Sequence, residues 1–521
     1  MEKKKGNGWL VVGILAITVL LGIVCFRLDT DIMWHFKTGE YIVTHGEIPK
    51  GDVFSWHEGL SWMCHEWLYD ILLFLFYNRF GAAAARFLLM IVFFIPLYMA
   101  YRYNRDQADG IKYPFLFILF FLAVMRLGFV VDGSDCARPS EFSILIFMYA
   151  TILLIRKGIS ESYDKATYIK LGLCSVLYVN IHGGSIMQLI LIPVLFIIAD
   201  VLSGMLNGHI EWKRIKENLL VLVILFGCSL INPYGLSIYK YTTDNFLSAK
   251  FINSHIREWS FPVLNIPKAI LFVGTMLCIG ASKKFREFDL EAFRKAILIC
   301  AFLCQGLVIR RMLFPLDCLL LIFGYQFVEE YFTHIFESLS RLLKCDLENK
   351  KPLFKNMKPE TRRIVSESLY VFSLILILGT AGIYITQSDS GKSFLELVND
   401  KNPNADKMIQ YMKENDIKGR VYTEYNDGGT LIINDIKTFV DPRCDPFMEA
   451  FSNVSIATDY FTARDVGETT CYEAFMKLHE KYEFEYAMIQ KDGIGRNVIE
   501  MMKEKGETVL LENDGYTLFE F

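Results

Sequence analysis

Two carboxylates, Asp29 and Asp31, follow the first long apolar run in the stretch Arg27-Leu-Asp-Thr-Asp-Ile-Met-Trp-His35. An Asp-x-Asp pair suits a general base, a site for a divalent cation such as Mg²⁺ or Mn²⁺ that grips phosphate oxygens, or both. Residues i and i+2 share a face in a strand and diverge in a helix, so convergence of the two acids on one ligand predicts an extended segment. One acid at a helix exit is ordinary solvated surface. Two beside Trp34 and His35 at membrane depth point to a polar site, because unpaired charge is costly there.

Further candidates are spread along the chain. Glu66 and Asp70 are spaced i, i+4, which puts them on one helical face beside His65. Arg138, in Asp132-Gly-Ser-Asp-Cys-Ala-Arg138-Pro139, suits a phosphate through its planar fork of donors, with a salt bridge to Asp132 or Asp135 as the competing reading. Asn180-Ile-His182-Gly-Gly184 is a tight turn between two apolar runs, and its His reads as a hydrogen-bonder, structural or to substrate, rather than a metal ligand. Asn232-Pro-Tyr-Gly235 opens another loop, which later carries Arg257-Glu258-Trp259. Arg310 and Arg311 lie at the end of an apolar run on the side where basic residues are scarce, and suit a lipid phosphate or headgroup snorkelling. Asn426-Asp-Gly-Gly429 and Asp441-Pro-Arg443 read as turns.

These residues need a scaffold, and composition identifies it. The chain is 53% hydrophobic and only 21% charged over 521 residues, with many runs near the roughly 20 apolar residues that cross a bilayer. It reads as a polytopic α-helical membrane protein with about 11 crossings. The crossings begin at Trp9–Phe26, an uncleaved first helix, and end at Ser366–Ile385. Lys3, Lys4 and Lys5 hold the N-terminus in the cytoplasm. Residues 27–84 then form a long outer loop, whose apolar segment Glu66–Phe80 is short for a span and reads as an interfacial helix. Residues 333–365 are basic and cytoplasmic. Residues 387–521 read as an extracytoplasmic α/β domain, with helices at Asn404–Asn415 and Thr469–Lys481. Its strands are expected at Arg420–Glu424, Thr438–Asp441, Tyr486–Gln490, Thr508–Leu511 and Thr517–Phe521. Charges are scarce in mid-span, with Arg126 the main exception, which argues against a transporter or lipid flippase; a noncatalytic envelope-assembly protein is a third reading. There is no Walker A loop or dinucleotide fingerprint, and the net charge of −4 gives no sign of nucleic-acid binding. None of the twelve cysteines forms Cys-x-x-Cys, and Cys444 and Cys471 pair or stay free according to the redox environment.

Asp29-Thr-Asp31, His65-Glu-Trp67 before an apolar helix, Phe80-Gly81 and Arg86 together resemble the first-loop layout of the GT-C superfamily of membrane glycosyltransferases. That superfamily includes protein O-mannosyltransferases and aminoarabinose lipid A transferases. Trp34, His35, Gly39, Gly46-Glu-Ile-Pro49, Asp52-Val-Phe-Ser55, Arg138-Pro139, Asn180-x-His182-Gly183, Asn232-Pro-Tyr-Gly235 and Glu258-Trp259 are similar to bacterial members of uncharacterised function. The likeness covers residues 9–330. It implies a GT-C-like membrane domain over residues 1–386 and transfer of a sugar from a polyprenyl-phosphate donor to a lipid, glycan or protein acceptor outside the cytoplasm. Asp29, Asp31, His65 and Glu66 would be catalytic. Trp34, His35, Arg138, Asn180, His182, Asn232, Arg257, Glu258, Arg310 and Arg311 would hold substrate, with Asp29 and Asp31 the candidate metal ligands. The adjacent Asp-Glu dyad of the mannosyltransferases is missing, which leaves open which Asp is the base.

Overall fold

A computed structural model describes residues 8–24, 30–107, 110–124, 138–160, 162–256, 259–262, 266–343 and 392–521, with isolated positions between 368 and 379. The helical body begins with α1 (Gly8–Val24), α2 (Thr30–His45), α3 (Trp67–Phe80), α4 (Ala82–Arg105) and α5 (Pro114–Val124). It continues with α6 (Pro139–Ser160), α7 (Lys165–His182), α8 (Ile186–Leu206), α9 (Trp212–Ser229) and α10 (Ser237–Leu247), and then Ile266–Ala281, Leu290–Val308 and a stretch from Arg310 to Leu343. Among the described residues four stretches are long and apolar enough to cross a membrane: Ala82–Arg105, Pro139–Arg156, Lys165–Leu206 and Arg310–Ser338. Three more apolar helices are shorter, so the expected eleven crossings are not reproduced at full length. The last expected crossing, Ser366–Ile385, lies mostly outside the described residues.

Phe93, Phe117, Phe147, Phe196 and Phe302 fill the interior of the body. Leu177, Val223 and Leu277 stay exposed on its periphery, as side chains that meet lipid do. One buried charge pair braces the interior. Arg294 reaches Asp200 through Nε at 2.7 Å and Nη2 at 2.6 Å, Asn218 Nδ2 donates to the same carboxylate at 3.0 Å, and the guanidinium lies over Phe196. These charges are fully partnered and join α8, α9 and Leu290–Val308 as structure.

The first loop departs from expectation. Thr30–His45 is a continuous helix, so Asp31 sits in the first turn of α2, where the helix dipole favours an acid. The expected extended segment is not seen at Asp31, and Asp29 lies outside the described residues. Gly39 lets α2 pass close to α3: a Cβ there would lie 2.0 Å from the Asp70 carbonyl oxygen. Helix α3 buries Tyr69, Asp70, Leu73, Phe74 and Tyr77 and exposes Leu72, Leu75 and Phe80. It has 14 residues, too few to span a bilayer.

The C-terminal layer contains a four-stranded sheet in the order β1 (Val421–Tyr422), β2 (Tyr486–Gln490), β4 (Tyr516–Glu520), β3 (Thr508–Glu512). Strands β1 and β2 are parallel, whereas β4 is antiparallel to both of its neighbours. The helices expected at residues 404–415 and 469–481 are Pro403–Glu414 and Cys471–Tyr482. Thr438–Asp441 does not join the sheet; Thr438 instead bridges to Ser55 of the first loop. Cys444 and Cys471 are both buried free thiols.

This layer shares its core with the first loop, since Leu60 and Ile252 are buried in one cluster with Phe439, Phe447 and Phe475. Arg443 fastens the seam. Its guanidinium contacts Asp52 Oδ1 at 2.6 Å and Asp441 Oδ2 at 2.6 Å and lies over the rings of Trp62 and Phe54. Burial pushes the Asp52 carboxyl up, but Arg443 and the bonds from Ser55 and Phe54 outweigh it and hold the group below its usual range.

Candidate active site

Between the helical body and the C-terminal layer lies a cavity of about 990 Å³. Asp31, Trp34, His35, His65, Glu66, Arg138, His182 and Arg311 all line it. Eight of the sequence candidates thus meet in one space, although they come from five parts of the chain. Asp31 Oδ2 faces Arg138 Nη2 at 3.3 Å, an ion pair at the mouth of α6. Arg311 stands elsewhere on the wall with its guanidinium over Trp259, 5.6 Å from the ring centre.

Glu66 is surrounded by three imidazoles. His182 Nε2 is 3.5 Å from Oε1, His65 Nδ1 is 3.9 Å from Oε1, and His35 Nε2 is 3.9 Å from Oε2. Burial pushes the Glu66 carboxyl up to about 8 against the pull of Arg311, and burial with Arg311 drives His65 down to about 3. The His35 ring lies against Trp34, with centroids 3.6 Å apart, and bonds Asp70 Oδ1 through Nδ1 at 2.6 Å. Burial raises Asp70 and lowers His35, so this pair is neutral as a whole. His182 Nδ1 is held by Ser185 at 2.6 Å and Ser143 at 3.1 Å. The cluster is a largely uncharged polar patch beside a charged Asp31–Arg138 pair.

Three residues that line the cavity each have a buried polar atom with no hydrogen-bond partner among the described residues: Trp34 at Nε1–H, His65 at Nδ1 and Glu141 at Oε2. Buried polar groups are normally paired. Orphaned donors and acceptors around one cavity fit a ligand that offers both, as a hydroxylated ring does.

Other candidates are placed elsewhere. Asn180 accepts from Trp67 Nε1 at 2.9 Å and donates to the Val176 and Ile231 carbonyls, which ties α3, α7 and the end of α9 together. Asn232 closes its own turn through the carbonyls of Ser229 and Gly235 and the amide of Tyr234. Neither lines the cavity, and neither does Arg310, whose amide bonds the Ser260 carbonyl. The side chains of Asn180 and Asn232 have local partners that brace the scaffold. Arg257 and Glu258 lie outside the described residues. Of the two candidate metal ligands, Asp29 lies outside the described residues and Asp31 pairs with Arg138. Among the described residues no three His, Cys, Asp or Glu side chains are arranged to hold a metal.

No family model matches the chain, and no curated protein matches it in sequence. Solved structures do match in shape. The oligosaccharyltransferase of Archaeoglobus fulgidus, in its apo form, is similar over 94% of this chain and 70% of its own, with a TM-score of 0.52 and 12% identity. ArnT from Cupriavidus metallidurans, bound to undecaprenyl phosphate, is similar over 98% of both chains, with a TM-score of 0.50 and 12% identity. The chain shares the fold of these two proteins. It is a membrane protein, with four long apolar stretches among the described residues and a small C-terminal sheet.

Within the cavity, three polar residues carry no sequence signal of their own. Glu141 reads as the ordinary acid in the first turn of a helix. Tyr241 is one aromatic among many, and Asp445 looks like part of a turn. Tyr241 and Asp445 meet across 204 positions of sequence, a distance that no local pattern spans.

Proposed function

We propose that the chain is a membrane glycosyltransferase that moves a sugar from a polyprenyl-phosphate donor to an acceptor hydroxyl on the outer side of the cell membrane. In this reading the N-terminus is cytoplasmic and residues 387–521 lie outside as a C-terminal domain. The observation that carries the reading is the cavity itself: a carboxylate–arginine pair beside unpaired buried donors and acceptors. The neighbouring ArnT structure, which holds undecaprenyl phosphate, supports a lipid phosphate as the leaving group.

The chemistry follows from these residues. The acceptor oxygen attacks the anomeric carbon as the bond from that carbon to the phosphate oxygen breaks. Asp31 takes the acceptor proton, a role that contributes about 10²–10⁴-fold in rate. Arg138 and Arg311 take up the charge that develops on the departing polyprenyl phosphate. Glu66 keeps its proton at neutral pH and acts as a hydrogen-bond donor, leaving the ionised Asp31 as the base.

The test is release of polyprenyl phosphate from a labelled sugar donor by the purified protein in vesicles. Asp31→Asn should slow release about 10²–10⁴-fold while leaving thermal unfolding unchanged. An undiminished rate would remove Asp31 from the chemistry. Movement of the labelled lipid between leaflets without a covalent product would replace transfer by transport.

A further inference from the structure

The turn around Asp445 lines the cavity, and its geometry constrains a proton on His65, which lines it as well. Arg443 is clamped between Asp52 and Asp441. Cys444, the next residue, has φ 59° and ψ −51°, a conformation that L-residues rarely adopt and that persists only where the surroundings enforce it. Asp445 follows and faces the cavity.

The Tyr241 hydroxyl donates to the Asp445 carboxylate in a short contact. A phenol has a single proton, so that hydroxyl has none left for His65 Nε2, which lies 2.8 Å away. His65 Nε2 must therefore be the donor in that bond, and the ring carries its hydrogen there. Nδ1 is then a bare lone pair. It is buried, lies too far from Glu66 for a hydrogen bond, and has no partner among the described residues. Gly184 lets the turn after α7 close over this ring, since a Cβ there would come within 3.3 Å of His65 Cε1.

We propose that Asp445 and Tyr241 are positioning residues that fix His65 as its Nε2–H tautomer, so that Nδ1 accepts a hydrogen bond from a hydroxyl of the substrate. The ligand class is a hydroxyl donor; a carboxylate or phosphate oxygen would be repelled by the same lone pair. The inference rests on the transferase reading for the identity of that hydroxyl, but not for the tautomer. Burial and Arg311 keep the ring neutral, which the assignment requires.

The tautomer is read by nitrogen NMR of ¹⁵N-histidine-labelled protein in lipid nanodiscs, with His65 assigned from the spectrum of His65→Gln. The wild type should show the hydrogen on Nε2. In Asp445→Ala the freed phenol proton turns toward Nε2 and the hydrogen moves to Nδ1. Asp445→Asn, whose amide oxygen still accepts, should restore the wild-type signal. Tyr241→Phe should leave a mixture, and it keeps the test open if Asp445→Ala does not fold. In the transfer assay, Asp445→Ala and Tyr241→Phe should raise KM by about 2–10-fold, the worth of one neutral hydrogen bond, with a smaller change in kcat. A hydrogen on Nδ1 in the wild type, or a KM unmoved in either variant, overturns the proposal. If the wild type transfers no sugar, the transferase reading fails while the tautomer result still decides the relay.

Discussion

Glu66 shows how position sets the behaviour of a residue. In an unfolded chain its carboxyl would ionise near 4.5, but burial holds it neutral to about 8. A carboxyl raised on folding weakens the fold as pH climbs past the unfolded value, and the loss is complete above the folded one. Glu66→Gln should therefore raise Tm at pH 9 and leave it unchanged at pH 4, as followed by scanning fluorimetry in detergent. The same variant should flatten the alkaline limb of the activity profile near pH 8, and retention of that limb would assign it to another group. Glu66, His65 and His182 were legible in the sequence because polar side chains stand out against apolar runs. The trio around Tyr241 was not. Its meaning lies in which atom donates to which, and residue type does not encode that.

At the scale of elements, close packing decides what the site can be. Helix α2 meets the short helix Gly428–Ile433 of the C-terminal layer at Gly429, where a Cβ would lie 2.2 Å from the Thr30 carbonyl oxygen. Thr30 adjoins Asp31, so this contact seats the proposed base against the C-terminal layer. The obstacle is backbone rather than a flexible side chain, and Gly429→Ala must push the two elements apart. It should cost about 1–3 kcal/mol, read as a lower Tm, with a loss of transfer larger than the stability loss alone explains. An unchanged Tm would mean that the seat is loose. The reading of Asn426-Asp-Gly-Gly429 as a turn was a fair inference from glycine alone, but what those glycines are for depends on a helix hundreds of residues away. The extended Asp-x-Asp segment failed for a similar reason. Apolar side chains at Ile32, Met33 and Ile42, packed against α3 and the C-terminal layer, make Thr30–His45 helical, and the two-residue spacing of the acids carries no information about that.

For the molecule as a whole, the seam between the first loop and the C-terminal layer joins segments that are far apart in the sequence. Arg443→Ala leaves Asp52 and Asp441 buried without their cation and should cost about 3–5 kcal/mol. Because folding lowers the Asp52 pKa, its stabilisation is complete above the ordinary carboxylate range and disappears as pH falls through the depressed value. Limited proteolysis should therefore release C-terminal fragments under acid before the helical body is cut, and simultaneous digestion of both would contradict a separable seam. The membrane class and helical body were legible because long apolar runs have few alternatives. The seam was invisible, being made of contacts such as that between the Ser61 amide and Ser452, which are 391 positions apart. That separation has a consequence for biosynthesis. A ribosome adding about 5–20 residues per second needs roughly 20–80 s to travel between such partners. Throughout that interval Phe54, Trp62 and Asp52 have left the ribosome while the segment that covers them does not yet exist. The nascent first loop is thus a natural client for chaperones, and the cavity stays incomplete until translation is almost finished.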